Sequence, residues 1–349
     1  MGSMVSFTSP CVAEVVPDED RPLGPDDVRL RTLFSGISAG TELTAYRGSN
    51  PYLTKRWDEE LRLFVDGATS FEYPVDGWGY EEVGEVVEVG DGVDDVRPGD
   101  RVWGTWGHRT GTVQPAERAA ARLLERDVDP RIGIFSQIAA IGLNVVLDAD
   151  IHVGETVAVF GLGVPGQIVA QLARLNGARV IGVDGIKGRR ELATELGADV
   201  VLDAGEGGVA EQIRALTSGR GADVCLEVTG SYRALHEAIR AVAYSSRVCV
   251  AGFMQGDGVG LRLGEEFHHN RVNIVCSQIS GVSPSLQHRW DGYRLARTAM
   301  DLATTGRLRV LDLITHTYRL AEAGTAFTLL HESPEQALQV LLSFEEVGA

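Results

Sequence analysis

Basic residues, paired cysteines and long apolar runs are all scarce in this chain, and each scarcity closes off a class of function. Lys and Arg number 32 against 49 Asp and Glu, a formal charge of −17, so there is no clustered positive surface for a nucleic acid or an anionic membrane. The four cysteines, Cys11, Cys225, Cys249 and Cys276, form no CxxC pair, which excludes a disulfide framework and a cysteine-rich zinc site. Three of them fall on strand-like runs and read as small buried core residues. No apolar run reaches the ~18 residues of a membrane span, and no basic-then-apolar leader opens the chain, so a cytoplasmic protein is expected. Internal repeats and low-complexity tracts are missing as well.

What is present is a globular composition, 44% hydrophobic and 23% charged over 349 residues, enough for two domains. The opening MGSM reads as an added segment before a native Met4 and is set aside in reading the fold. The first ~130 residues are β-rich: GYEEVGEVVEVGDGV alternates and breaks at glycines, and DDVRPGDRVWG places a Pro-Gly-Asp turn before a strand. From about residue 134 the pattern alternates strand and helix, with strands expected at 157–160, 178–184, 200–203, 223–228, 247–253 and 272–279 and a helix over 232–243. Six such strands predict a doubly wound parallel sheet. The segment 49–74 interrupts the β-rich part as a long insertion, which reads equally as a pocket wall or a surface excursion.

The most informative stretch is VAVFGLGVPG, residues 157–166. An apolar strand runs into Gly161, Gly163 and Gly166, and an amphipathic helix pattern carries Ile168, Val169, Leu172, Ala173 and Leu175. Gly161 permits the tight turn, Gly163 lets backbone approach a pyrophosphate, and Gly166 lets helix and strand pack closely; the helix N-terminus offers unpaired N–H groups to phosphates. The next strand ends at Asp184, 18 residues past Gly166, where a carboxylate accepts hydrogen bonds from a ribose diol. Its charge opposes a 2′-phosphate and favours NAD over NADP, while Lys187, Arg189 and Arg190 just beyond soften that repulsion. A glycine turn that binds nothing is the plainer alternative.

In order along the chain, SGISAGTEL, GYEEVGEVVEVG, VRPGDRV, GLGVPG, Asp184 and DLITHTYRLAEA resemble the medium-chain dehydrogenase/reductase superfamily, the zinc-type alcohol and polyol dehydrogenases and their zinc-free relatives. The resemblance covers nearly the whole chain. It implies a GroES-like catalytic domain at 1–136 and 281–349, a Rossmann domain at 137–280, substrate in the cleft between them, and hydride transfer between a carbon and nicotinamide. It further implies that Gly161, Gly163, Val164 and Gly166 meet the pyrophosphate and Asp184 the ribose. Arg189 would flank the adenosine, Val228 and Thr229 the nicotinamide ribose, and Ala251 and Phe253 the carboxamide. Pro165 follows Val164 where the family more often has the reverse order.

The chain departs from the family at the metal. Ser38 or Ala39 stands where a ligand cysteine is found, Tyr80 where a histidine is, and Ser136 and Gln137 lie near the third position; the structural-zinc lobe is missing. Only Glu81 could ligate, and one carboxylate does not hold zinc, so a metal-free enzyme is expected. Another group must then polarise the substrate oxygen and move its proton. The candidates are Tyr80, Glu81 beside it, Thr41, which matches a proton-relaying hydroxyl of the family, and His108, at a position that lines the substrate pocket there. Each has a bland alternative: Tyr80 as filler, Glu81 paired with an arginine, His108 at a solvent-facing strand edge. His268 and His269, adjacent on an expected extended segment, point to opposite faces. His288–Trp290 reads as a helix start, and His316 as structural.

These readings favour an NAD-dependent, zinc-independent dehydrogenase that interconverts a secondary alcohol and a ketone on a small polar substrate such as a sugar or cyclitol. Alternatives are a quinone or enoyl reductase, an enzyme that retains NAD for epimerisation or elimination, and a non-catalytic dinucleotide-binding protein. A homodimer or homotetramer is expected, with no nucleic-acid or membrane partner.

Overall fold

The computed structural model describes residues 2–19 and 21–344. The chain divides into two compact units, Met1–Gln137 with Leu311–Ala349, and Ile138–Val310.

In the first unit the strand Asp27–Ile37 organises the larger sheet. Its sequence alternates, so Val28 and Leu30 are buried while Arg29 and Arg31 face outward. Register then places Arg29 opposite Glu88 and Arg31 opposite Glu85, with ion-pair distances of 2.9 and 3.4 Å. The sheet runs Leu123–Leu124, Arg101–Gly104, Glu82–Val89, Asp27–Ile37, Gln339–Ser343, Ile314–Arg319, and Gly111–Pro115 also pairs with Asp27–Ile37. A smaller sheet joins Val12–Asp18, Gly2–Ser9 and Val75–Asp76. Gly2 and Ser3, set aside as an added segment, pair with Asp18 and Pro17, continuous with Met4 against Val16. Phe7 anchors the core edge-on to Phe327 at 4.9 Å and to Tyr46 at 5.8 Å. The insertion folds back on itself as a hairpin, Arg56–Asp58 against Leu63–Val65. Trp57, Phe64, Tyr52, Phe71 and Trp78 follow one another at ring spacings of 5.0 to 5.6 Å.

In the second unit the strands lie in the order Val200–Asp203, Arg179–Asp184, Thr156–Phe160, Ala222–Glu227, Val242–Val250, Asn273–Cys276, every neighbouring pair parallel. Numbered along the chain this is 3-2-1-4-5-6, the doubly wound arrangement in which ligands bind where the order reverses. The central strand Thr156–Phe160 is buried throughout, as a strand covered by helices on both faces must be.

The structure differs from expectation in several places. The helix Tyr232–Ala241 stops two residues early because Val242 is extended (φ −71°, ψ 151°) and begins the next strand. His268 and His269 sit on a helical turn, not an extended chain. Cys225 and Cys249 are buried, but Cys276 is exposed. Pro130–Asp148 is long and apolar enough to cross a membrane by length and composition, yet 72% of it is buried within the protein, as a core helix is. The second unit ends at Val310, not at 280: Asn144 Nδ2 donates to the Gly281 carbonyl at 3.1 Å, and Gln171 exchanges two hydrogen bonds with the Arg309 backbone. The helix Gly292–Thr304, capped by Asp291, therefore packs there through Leu295, Ala299 and Met300.

Candidate active site

The glycine turn follows the central strand of the second unit. Gly161 has φ +97°, and a Cβ there would stand 2.5 Å from Thr229 Cγ2, so only glycine fits. At Gly166 a Cβ would lie 1.9 Å from the Gly161 carbonyl oxygen, which is the close helix-to-strand approach that its position calls for. Gly163 is different. Its φ of −65° suits any residue and a Cβ would meet nothing closer than 3.9 Å, so the chain leaves that space open. Gly163 caps the helix Val164–Leu175 without a side-chain partner, and Pro165 at the second helical position lacks an N–H where none is needed. The geometry fits a pyrophosphate resting on a helix N-terminus.

Asp184 ends the neighbouring strand. Its Oδ2 accepts from Leu162 N at 2.7 Å and its Oδ1 from Ile186 N at 2.8 Å, so the carboxylate binds the glycine loop to the second strand before any ribose arrives. Arg189 Nη1 is 4.0 Å from Oδ2, while Arg190 is committed to Asp203 at 2.6 Å and to the Asp184 carbonyl. A cavity of 510 Å³ opens beside them, lined by Gly161, Asp184, Arg189, Gly207, Thr229 and Arg233. Its walls suit the adenosine half of a dinucleotide.

Across the sheet's reversal point Val228 N donates to the Phe160 carbonyl at 3.0 Å. Glu227, which the sequence reading passed over, is fully buried and knots this end together. Its carboxylate accepts from the Thr229 amide at 2.8 Å, from the Thr229 hydroxyl and from Gly230 N, and its carbonyl accepts from Ala251 N and Gly252 N. Burial pushes the Glu227 carboxyl up, and these donors pull it back. Thr229, Ala251 and Phe253 are thereby gathered, since a Cβ on Gly230 would touch the Phe253 carbonyl at 2.8 Å.

In the first unit three hydroxyls meet. Tyr80 hydrogen-bonds through its hydroxyl to Ser38 Oγ and lies 3.3 Å from Thr41 Oγ1. Burial and the adjacent Glu81 raise the phenol well above its ordinary value, so Tyr80 stays protonated. Glu81 does not join this group: it is 1% exposed, takes a hydrogen bond from Gln339 Nε2 at 3.3 Å, and is held well above the carboxylate range by burial and by Glu42 and Glu82.

His108 is neither on a pocket wall nor at a solvent-facing edge. It is 0% exposed, with Nε2 2.7 Å from Glu42 Oε2 and Nδ1 2.7 Å from Ser35 Oγ, which corrects the expectation that it lines the substrate site. Burial disfavours its charge, but Glu42 and then Glu82 outweigh that and raise it overall. Glu82, also buried, accepts from Trp106 N at 2.6 Å and from Glu81 N, and burial pushes it up to about 7. Glu42, Glu82 and Ser35 are parts of this arrangement that spacing alone did not reveal.

The donor set at the expected ligand positions does not fit zinc. Ser38 and Tyr80 are hydroxyls bonded to each other, Ala39 has no donor, and Glu81 is turned onto Gln339. Among the described residues the group close enough to hold a metal is His236 with Glu265 and Glu266, in the other unit, where Arg262 and Arg240 already oppose the carboxylates.

Comparison with known proteins agrees with this architecture. Residues 165–293 match the family model described as zinc-binding dehydrogenase. The chain is 31% identical over 345 residues to D-guloside 3-dehydrogenase of Escherichia coli K12, covering 97% of this chain and 98% of that one. It is 25% identical to sorbitol dehydrogenase of Halalkalibacterium halodurans over 92% of each. A zinc-binding dehydrogenase from Sinorhizobium meliloti 1021, described as putative and bound to NADP, superposes with a TM-score of 0.78 at 24% identity, covering 98% of this chain and 99% of that one. With a 3-2-1-4-5-6 parallel sheet, a dinucleotide cradle and a β-rich companion unit, this chain belongs to the medium-chain dehydrogenase/reductase superfamily.

Proposed function

We propose that this protein is an NAD-dependent, zinc-independent dehydrogenase that oxidises a secondary hydroxyl of a sugar or cyclitol to the ketone. The observation that carries the reading is an intact glycine-and-Asp184 cradle in one unit and, in the other, the hydroxyls of Tyr80 and Ser38 where zinc ligands would stand, with the Thr41 hydroxyl beside them. Bound nicotinamide would accept the hydride from the carbinol carbon. Tyr80, kept protonated, would accept the hydrogen bond of the substrate hydroxyl while its own hydrogen points to Ser38 or Thr41; as the carbinol carbon gives up its hydride, the substrate proton moves to Tyr80 and the proton Tyr80 held passes through Ser38 or Thr41 to water. Asp184, whose charge opposes a 2′-phosphate, supports NAD. The likeness to D-guloside 3-dehydrogenase supports a sugar as substrate. The exposed edge strand Asn273–Cys276 supports pairing with a second copy into a homodimer or homotetramer, acting in the cytoplasm.

The test is NADH formation from a panel of glycosides, polyols and cyclitols by protein stripped with a chelator, beside Tyr80→Phe. We expect turnover to survive chelation and Tyr80→Phe to lower kcat by about 10²–10³-fold with dinucleotide affinity kept. Stoichiometric zinc required for activity, or full activity in Tyr80→Phe, overturns the reading. Cofactor retained through purification with no net turnover would replace it by a redox-neutral reaction.

A further inference from the structure

The three hydroxyls stand on a buried support that the reaction itself does not require. Glu42 and His108 are both 0% exposed, and each grips a segment that carries one of the reacting hydroxyls. Glu42 Oε1 accepts from the Ser38 amide at 2.9 Å, while its Oε2 meets His108 Nε2 at 2.7 Å. His108 Nδ1 is tied in turn to Ser35 Oγ at 2.7 Å, which fixes the plane of the ring. The opposite contact is steric. Gly79 has φ +145°, and a Cβ there would come within 3.0 Å of His108 Nε2, so the imidazole lies flush against the residue that precedes Tyr80. One ring therefore touches both approaches to the Ser38–Tyr80 hydrogen bond, through Glu42 on one side and Gly79 on the other. A carboxylate and an imidazole with no exposure, joined at hydrogen-bond distance, form a stiff element, because breaking it strands an ionisable group in the interior.

We infer that the buried Glu42–His108 pair is a positioning device that sets the Ser38 amide and the Tyr80 backbone so that the Tyr80 hydroxyl is held on Ser38 and aimed for proton transfer. Neither residue touches substrate. The inference rests on Tyr80 being the proton-handling hydroxyl, and a reacting group displaced by a fraction of an ångström loses rate without losing binding.

A double-mutant cycle tests it. Glu42→Gln keeps the shape and an oxygen for the Ser38 amide but replaces the carboxylate–imidazole pair with a neutral contact. We expect kcat to fall about tenfold, with the alcohol KM and the NADH dissociation constant within about twofold of wild type. In a Tyr80→Phe background the same substitution should change kcat by less than about twofold, because the group it aims is gone. Ser35→Ala, which removes the tie on His108 Nδ1 and leaves Ser38, Thr41 and Tyr80 in place, should show a loss of the same kind and the same non-additivity, and it carries the test should Glu42→Gln not fold. Wild-type kcat in both single variants, or a full tenfold loss that persists in Tyr80→Phe, overturns the positioning role. Full activity of Tyr80→Phe alone instead removes the reading on which it rests, so the two failures are told apart.

Discussion

Asp184 does two things with one carboxylate. It accepts from Leu162 N and Ile186 N, which fastens the glycine loop, and it stands at the mouth of the 510 Å³ cavity, where a ribose diol would donate to its remaining lone pairs. Asp184→Asn retains one acceptor oxygen and shape but loses the charge. It should weaken NADH binding by about 1–3 kcal/mol, the worth of a charge-assisted hydrogen bond, and should relax discrimination against NADPH. Fluorescence titration with both nucleotides checks this, and unchanged affinity for both would remove the ribose assignment. Asp184 was readable from sequence because its meaning lies in a local interval after a glycine turn. Glu42, Glu82 and Glu227 were not. In a chain with 49 acidic residues a buried carboxylate looks like any surface one until the groups that satisfy it are known, whether distant, as His108 is from Glu42 and Trp106 from Glu82, or in the next turn, as Thr229 is from Glu227. His108 was found by residue type but misplaced, since nothing local says whether an imidazole faces solvent or a buried glutamate.

At the scale of the element, the helix Val164–Leu175 and the strand before it assign different work to three glycines with one spacing. Gly163→Ala adds a methyl to space that the protein leaves open at a φ of −65°, so the fold should keep its thermal midpoint while dinucleotide affinity drops. Gly166→Ala places a methyl 1.9 Å from the Gly161 carbonyl oxygen, so stability and binding should fall together. Thermal melts beside NADH titrations separate the two; a Gly163→Ala protein that binds normally would show that the open space is not where the pyrophosphate lies. Elements of this kind were legible wherever hydrophobic period and glycine coincide. The end of Tyr232–Ala241 was misplaced because Val242 and Ala243 suit the apolar face of a helix as well as the start of a buried strand.

For the molecule as a whole, the concentration of buried carboxyls in the first unit sets a pH dependence. Glu82 titrates at about 7 when folded against an ordinary 4.5, so the native chain holds this proton more tightly than the unfolded one. Its contribution to stability is complete below about pH 4.5 and lost as pH rises through about 7. Glu81 and His108 are raised too and act in the same direction, whereas Asp129, held low by Arg131, matters only as pH falls below the ordinary aspartate range. Melting temperatures should therefore decline between about pH 5 and 8, and Glu82→Gln should flatten that decline. An unchanged slope in the variant would place the titrating group elsewhere. The overall architecture was legible because alternation, then strand-helix repetition, separates the two units by period alone. The boundary at 310 was not, because the helix Gly292–Thr304 carries the same amphipathic pattern whichever unit it covers.

The strand Gln339–Ser343 fits between Asp27–Ile37 and Ile314–Arg319, so a central position in the first unit is filled by almost the last residues described. On the ribosome, then, the amino-terminal β-rich segment must wait through the synthesis of more than half the chain with its sheet unfinished, while Ile138–Val310 has all its own strands in hand as soon as it emerges. The unit made first is the one completed last, and until Gln339–Ser343 arrives the 34–37 end of Asp27–Ile37 keeps an unpaired edge of the kind that invites association between chains.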